Sequence, residues 1–191
     1  MKKLFIILVS ISIFSANMAK TPNAVLVETE SFRNKGGWVI DQQSMDVMGS
    51  PYLMAHGMGN PVTDASTKVT FPKTGKYKVF VRTRNWNAQW SDVAAGQFKL
   101  LVDGKPLDKI FGIKSKDWSW IDAGFVDVNS ENVEIGLHDL TGFNGSCDAI
   151  YLTSEKNDVP HNDHEQLDAP RAELLNLSAK PVESALDLVI V

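Results

Sequence analysis

Alternating hydrophobic and polar positions dominate the chain between residues 24 and 153. The clearest example is the run 76–84, in which Tyr77, Val79 and Val81 alternate with lysine and arginine. Successive side chains of a strand point to opposite faces, so one face of this strand is expected in a core and the other in solvent. Similar short runs are separated by Gly, Pro and Asp turns, and none has a helical period. The pattern predicts an all-β fold, a jelly-roll β-sandwich at residues 24–154.

The strand prediction leaves one long gap. Strands are predicted at 24–32, 38–41, 67–71, 76–84, 97–102, 124–128, 133–137 and 149–153, with shorter extended pieces at 107–113 and 118–122. Residues 42–64 show no period and contain several Gly and Pro residues, which favours a long ordered loop. Loops of that length in a compact domain are usually functional. In a jelly roll the first and last strands lie together.

The first 19 residues have the pattern of a secretory signal peptide. Lys2 and Lys3 precede an apolar run at 4–14, and small residues follow up to Ala19. The run is too short for a stable membrane anchor, so an exported protein, periplasmic or extracellular, is predicted. Removing the two lysines changes the formal net charge from −4 to −6. An acidic chain without a basic cluster does not favour nucleic-acid binding.

The C-terminal end changes in composition. Residues 155–182 are rich in polar residues and proline, which is typical of a linker. Residues 183–191 end in Leu-Val-Ile-Val, the pattern of a buried parallel strand. In dinucleotide-binding folds such a strand precedes a glycine-rich turn. Two interpretations stay open: a strand that docks on the sandwich, or the truncated start of an FAD-binding domain, with FAD bound only if the chain continues beyond Val191.

The tryptophans indicate a binding surface. All five lie between Trp38 and Trp120. An aromatic ring can cover the apolar face of a sugar, while polar side chains satisfy its hydroxyls. Trp38 is expected in the core, and any other tryptophan could also be a core residue. The candidate ligand-binding residues are Arg84, Trp86, Trp90, Trp118, Trp120, His138, Asp139 and Asn144.

Catalytic patterns are weak. Cys147 is the only cysteine, so it forms no internal disulfide, and without a placed histidine it is expected to be buried rather than nucleophilic. A glycosidase needs two converging carboxylates. Asp122, Asp139 and Asp148 could supply them, but a turn or strand-end role is more typical of each. The metal-ligand residue types at 161–165 lie in linker-like sequence, which favours a solvated loop.

Several short motifs occur in the order found in a known group of modules. The quoted segments are Val27-Glu28-Thr29-Glu30-Ser31-Phe32, Gly36-Gly37-Trp38-Val39, Gly49-Ser50-Pro51-Tyr52-Leu53, Arg82-Thr83-Arg84-Asn85-Trp86, His138-Asp139-Leu140-Thr141-Gly142-Phe143 and Cys147-Asp148-Ala149-Ile150-Tyr151-Leu152. The chain resembles β-sandwich carbohydrate-binding modules. More specifically, it is similar to the galactose-binding-like module found N-terminal to exported FAD-dependent oxidoreductases of Bacteroidetes-type bacteria.

The resemblance implies a structural calcium ion between the terminal strands. Glu28, Glu30 and Asp148 would supply hard oxygen ligands there. The alternative is that one glutamate faces solvent and Asp148 caps a loop.

Three functions follow from these observations. The first is an exported, non-catalytic carbohydrate-binding module. The second is the accessory N-terminal domain of a truncated FAD-dependent oxidoreductase. The third is a carbohydrate-active hydrolase. The expected partner is a glycan or a downstream catalytic domain.

Overall fold

The computed structural model describes residues 23–163. The predicted signal peptide at 1–19 and the predicted strand at 183–191 lie outside the described residues, as does most of the predicted linker at 155–182. Within the described part of the chain, no helix is long and apolar enough to cross a membrane.

Ten strands make up nearly half of the described region. They are β1 (Ala24–Glu28), β2 (Trp38–Asp41), β3 (Tyr52–His56), β4 (Ala65–Thr70), β5 (Gly75–Arg84), β6 (Phe98–Val102), β7 (Lys105–Pro106), β8 (Ser119–Val128), β9 (Asn132–Asp139) and β10 (Phe143–Thr153). A short 3-10 helix, Thr29–Ser31, follows β1, and a single-turn helix, α1 (Met45–Met48), precedes β3.

The strands form two antiparallel sheets. One sheet has the order β2-β3-β10-β5-β8, with β1 also paired to β10, and is called here the six-stranded sheet. The other, the four-stranded sheet, has the order β4-β9-β6-β7. The predicted all-β sandwich is confirmed.

Strand β10 organises the six-stranded sheet. One of its edges pairs with β5 along most of its length. Its other edge is shared: the C-terminal half pairs with β1, and the N-terminal half pairs with β3. The prediction that the first and last strands lie together is therefore confirmed. Strands β1 and β3 follow one another along the same edge of β10.

The main core lies between the sheets. Tyr77, Val79 and Val81 of β5 are fully buried in it, as the alternation in 76–84 predicts. Trp38 packs edge-on against Phe98 of the four-stranded sheet, with 5.7 Å between ring centroids. The prediction that Trp38 is a core residue is confirmed.

The prediction of one long loop at 42–64 is wrong. This segment contains α1 and β3, and β3 pairs with both β2 and β10. The physical reason is that β3 is apolar on both faces. Leu53 and Ala55 face the main core, while Tyr52 and Met54 face the other way and are also largely covered. A strand covered on both sides shows no hydrophobic–polar alternation.

The outer face of the six-stranded sheet, opposite the main core, is partly covered by the end of the described chain. The Trp120 indole donates a hydrogen bond to the His161 carbonyl at 2.6 Å, and the Asn162 amide donates to the Trp118 carbonyl at 2.8 Å. The Tyr151 hydroxyl donates to Asp158 at 2.6 Å. We call residues 155–163 the strap. This first part of the predicted linker is thus held against the sheet.

Gly142 in the β9–β10 turn is required by both conformation and space. Its φ is +66°, and a Cβ atom would overlap the backbone of Asn60. We expect Gly142→Ala to lower the free energy of unfolding by more than 2 kcal/mol, because the left-handed conformation alone costs about 1–2 kcal/mol. Urea unfolding measures this. Gly104→Ala is the matched control, since Gly104 has a φ of +73° but open space around it. Equal losses in the two variants would contradict the steric argument.

Candidate functional site

The strap does not cover the whole outer face, and a pocket lies on the uncovered part. The register of the paired strands determines which residues form the floor of this pocket. Ser146 of β10 lies opposite Met54 of β3 on one side and opposite Arg84 of β5 on the other. These three residues therefore form a row across the outer face. Because the row is set by backbone pairing, its spacing is fixed by the fold.

The pocket above this row has a volume of about 410 Å³, within the usual range for small-ligand sites. Its lining residues are Gln43, Tyr52, Met54, His56, Arg84, Trp86, Asn144 and Ser146. They combine two aromatic rings and a thioether with amides, an imidazole, a hydroxyl and a guanidinium. Such a mixture suits a ligand that has both apolar faces and hydroxyl groups.

A ridge of exposed aromatic rings continues from the pocket. The Trp86 ring centroid is 5.6 Å from that of Phe143 and 6.2 Å from that of Trp90. Phe143 is 45% exposed and Trp90 is 70% exposed. The Trp86 indole N–H donates to the Phe143 carbonyl at 3.3 Å, which ties the ring to the turn. We call Trp86, Trp90 and Phe143 the aromatic ridge.

The turn between β9 and β10 is held by Asp139. Its buried carboxylate accepts hydrogen bonds from the backbone N–H groups of Thr141, Gly142 and Val62, at 2.9–3.1 Å. The prediction that Asp139 binds ligand is therefore not compatible with its position. Its role is to fix the turn that carries Phe143.

The same turn places Asn144 beside His56. The Asn144 side-chain oxygen lies 3.1 Å from His56 Nδ1, and Asn144 has a φ of +58°. Asparagine tolerates this left-handed conformation better than most residues. The pair forms the polar end of the pocket.

Three of the predicted ligand residues, Arg84, Trp86 and Asn144, line the pocket, and Trp90 stands next to it. The others lie elsewhere. Trp118 is buried against Tyr52, with 4.8 Å between centroids, so its ring offers no open face.

Trp120 and His138 are also outside the pocket. The Trp120 ring packs near Tyr151 under the strap. His138 is on β9 in the four-stranded sheet, where its Nδ1 is 2.8 Å from Asp64. The structure therefore does not bring Trp118, Trp120 and His138 together with the residues that line the pocket.

Sequence reasoning missed five of the eight lining residues. Gln43, Tyr52, Met54 and His56 fall in the segment assigned as a loop, and the fifth is Ser146 of β10. Phe143 belongs to one of the motifs quoted above but is absent from the predicted site. The available signal was the apolar run Tyr52-Leu53-Met54-Ala55, whose length fits a buried strand.

Asp148, one of the three acidic residues predicted to bind calcium, is buried next to a guanidinium. Arg82 Nη1 lies 3.5 Å from Asp148 Oδ2, and both side chains have no exposed surface. The Ser50 hydroxyl also donates to Asp148 at 3.3 Å. Within residues 23–163, no group of three His, Cys, Asp or Glu side chains is placed to hold a metal ion. The calcium ion shared by Glu28, Glu30 and Asp148 stays a prediction.

Cys147 is fully buried in the main core. Burial, together with the nearby charge of Asp148, raises the pKa of its thiol well above the ordinary value. The thiolate is the nucleophilic form of cysteine. The expectation of a buried, unreactive residue is confirmed.

A second groove of about 450 Å³ lies between the β5 turn and the end of β8. It is lined by Thr74, Gly75, Lys76, Asp127, Val128 and Asn129. No aromatic ring contributes to it. Of the two grooves, the one beside the aromatic ridge is better suited to hold a ligand with apolar faces.

Comparison with known proteins shows that the fold of this chain is similar to that of several solved structures. No family model and no curated protein matches the sequence. A family 35 carbohydrate-binding module from Clostridium thermocellum is 16% identical, with a TM-score of 0.54, over 70% of this chain and 100% of that chain. The C-terminal CBM6 of LamC, a laminarinase from Zobellia galactanivorans, is 19% identical, with a TM-score of 0.51, over 69% of this chain and 100% of that chain.

A larger enzyme also contains a matching part. The GH26-CBM35 β-(1,4)-mannanase of Podospora anserina is 17% identical, with a TM-score of 0.54; the match covers 73% of this chain but 29% of that chain. The chain therefore has a β-sandwich fold of the kind found in carbohydrate-binding modules.

Arg82 is expected to be a major source of stability. It contacts Asp148 and donates to the Asn162 carbonyl of the strap at 2.6 Å. We expect Arg82→Met to lower the free energy of unfolding by about 3–5 kcal/mol, because it leaves Asp148 buried beside an apolar side chain. Urea unfolding of Arg33→Met, at an exposed position, is the control and should change by less than about 0.5 kcal/mol.

A loss below about 1 kcal/mol in Arg82→Met would show that the ion pair is not important for stability.

Urea unfolding of the unmodified chain with added EDTA or with added calcium chloride tests the calcium prediction. If calcium binds there, EDTA should lower the midpoint and calcium chloride should restore it; an unchanged midpoint with both additions would contradict the prediction.

All three tyrosines are expected to ionise at a higher pH in the folded protein than in the unfolded chain. Burial, followed by a hydrogen bond with Asp41, raises the pKa of Tyr52 to about 12, and burial also raises the pKa of Tyr77 and Tyr151. The folded state thus holds protons that the unfolded state releases near pH 10. This contribution to stability is complete below pH 10 and is lost as the pH rises from about 10 to 12. At pH 10, absorbance at 295 nm should show little phenolate in the folded protein and about half ionisation in guanidinium. Half ionisation of the folded protein at pH 10 would contradict the burial argument.

Proposed function

We propose that the chain is an exported, non-catalytic module that binds a saccharide at the pocket beside the aromatic ridge. The observation that carries the proposal is the continuity of the two features. Trp86 lines the pocket and also belongs to the ridge. A sugar ring in the pocket and a neighbouring sugar on the ridge would then be held by one connected surface.

The side chains suit the two kinds of surface that a sugar has. The faces of Trp86 and Phe143 can cover apolar C–H groups. Polar groups of His56, Asn144 and Gln43 can exchange hydrogen bonds with hydroxyls, which offsets the loss of water. The similarity in fold to modules from a mannanase and a laminarinase supports a saccharide ligand.

A hydrolase is less well supported. None of the residues that line the pocket is an aspartate or glutamate, and glycosidases generally need two carboxyl groups at the scissile bond. The three aspartates considered from the sequence serve other roles. Asp139 holds a turn, Asp148 contacts Arg82, and Asp122 lies 3.3 Å from Lys78 Nζ.

The partner of this module would be a glycan outside the cytoplasm, with a catalytic domain on the same or another chain. The sequence pattern at 1–19 supports export, and the mannanase offers an example of such a module beside a catalytic domain. An FAD-binding continuation after Val191 stays a prediction, as does the role as an accessory domain of an FAD-dependent oxidoreductase.

Titration of the full chain with a panel of neutral and acidic polysaccharides, by affinity electrophoresis and calorimetry, tests the proposal. We expect binding to at least one polymer. Trp86→Ala and Phe143→Ala should each weaken it by about tenfold or more, because each removes roughly 1.5–3 kcal/mol of apolar contact.

Phe125→Ala provides the matched control. Phe125 is 56% exposed on β8 and contacts Lys76, away from the pocket. Its removal should leave the affinity unchanged. Equal affinity in all three variants would exclude the aromatic ridge as the binding face, and lack of binding to the whole panel would overturn the proposal.

A further inference from the structure

Arg84 is a cation held in place at the floor of the pocket. It lies on β5, opposite Ser146 in the strand register. Its guanidinium carbon is 5.1 Å from the Trp118 ring centroid and 5.9 Å from that of Tyr52. The Tyr52 hydroxyl is also hydrogen-bonded to Arg84. Contacts with aromatic faces hold an arginine without using its N–H groups, so the terminal N–H groups that do not contact Tyr52 stay available to a ligand. The two buried rings thus have a function: they position the cation.

The charge of Arg84 is not matched by a carboxylate. In the described part of the chain, Arg84 forms no ion pair within 4.0 Å of the kind that joins Lys78 to Asp122 or Arg82 to Asp148. Arg82, two residues earlier on the same face, differs from Arg84 because it is paired with Asp148. In addition, Arg84 Nε is buried without a hydrogen-bond acceptor.

One carboxylate, Asp41, lies nearby but is directed elsewhere. It is hydrogen-bonded to the Tyr52 hydroxyl and accepts the backbone N–H of Gln43 at 2.8 Å. The residues that line the pocket include no acidic side chain, and their remaining polar groups are uncharged amides and hydroxyls and the His56 imidazole. A half-buried guanidinium in such surroundings is best matched by an anion, which it can bind through two parallel hydrogen bonds.

We propose that this pocket selects an acidic saccharide, with the anionic substituent of one sugar residue bound to Arg84. This inference rests on the proposed function and names the ligand class. The anion is a carboxylate or a sulfate ester, since both present two oxygens to a guanidinium. His56, Asn144 and Gln43 then bind hydroxyls, and Trp86 covers the sugar face. The acidic net charge of −4 gives no general attraction to polyanions, so the selectivity must be local.

Calorimetry with the full chain and matched pairs of oligosaccharides tests this inference. One pair is oligogalacturonate and the same oligomer with its carboxyl groups reduced to alcohols. The other pair is a sulfated galactan oligomer and its desulfated form. We expect an affinity at least about tenfold higher for the acidic member of one pair, corresponding to one charge-assisted contact. The pair that shows the preference identifies the anion.

Two variants assign the preference to Arg84. Arg84→Gln should remove the preference for the acidic member, while Lys68→Gln, an equal charge change at an exposed position of β4, should keep it. Asp41→Asn should increase the affinity for the acidic member several-fold, because it removes the nearest negative charge. This second variant tests the inference even if Arg84→Gln fails to fold.

Each outcome has a definite meaning. Equal affinity for the acidic and neutral members overturns the inference and leaves the proposed function intact. A preference that persists in folded Arg84→Gln excludes this arginine. Lack of binding to either pair and to the neutral panel overturns the proposed function together with the inference.

Discussion

The pairing of β10 with three other strands is the constraint on which the rest of the structure depends. One edge of β10 pairs with β5, and the other edge is divided between β1 and β3. The division closes the sandwich at one end and builds the floor of the pocket at the other. Ser146 is placed opposite both Met54 and Arg84 by this pairing alone. The floor of the pocket is thus positioned by backbone hydrogen bonds between strands.

The outer face of the six-stranded sheet carries two small apolar clusters although it does not face the main core. Part of it is covered by the strap, which takes the hydrogen bonds of Trp120 and Tyr151. The buried Arg82–Asp148 pair lies under the same cover. The uncovered part carries the pocket. The covered half of the face therefore holds the buried ion pair, and the open half carries the pocket, with Trp118 at the boundary between them.

Much of the fold could be predicted from the sequence, but only part of the site. Alternation in 76–84 identified β5 because that strand has one apolar and one mostly polar face. β3 was missed because both of its faces are apolar or covered, so no alternation exists to read. Because β3 was not predicted, His56 and Tyr52 were absent from the predicted site. Trp118 and Trp120 were misassigned because the strap that covers them comes some forty residues later in the chain, and a sequence pattern does not show which face a later segment will cover.

The central claim is that a saccharide binds at the open half of this face, between the aromatic ridge and the row Met54, Ser146 and Arg84. Nitrogen-15 correlation spectra of the full chain, recorded during titration with a polysaccharide that binds, test it most directly. The account predicts shifts of the Trp86 indole and of the His56 and Asn144 amides, with the buried Trp38 indole unchanged. Shifts concentrated at the groove lined by Gly75 and Asn129, with Trp86 unaffected, would contradict it.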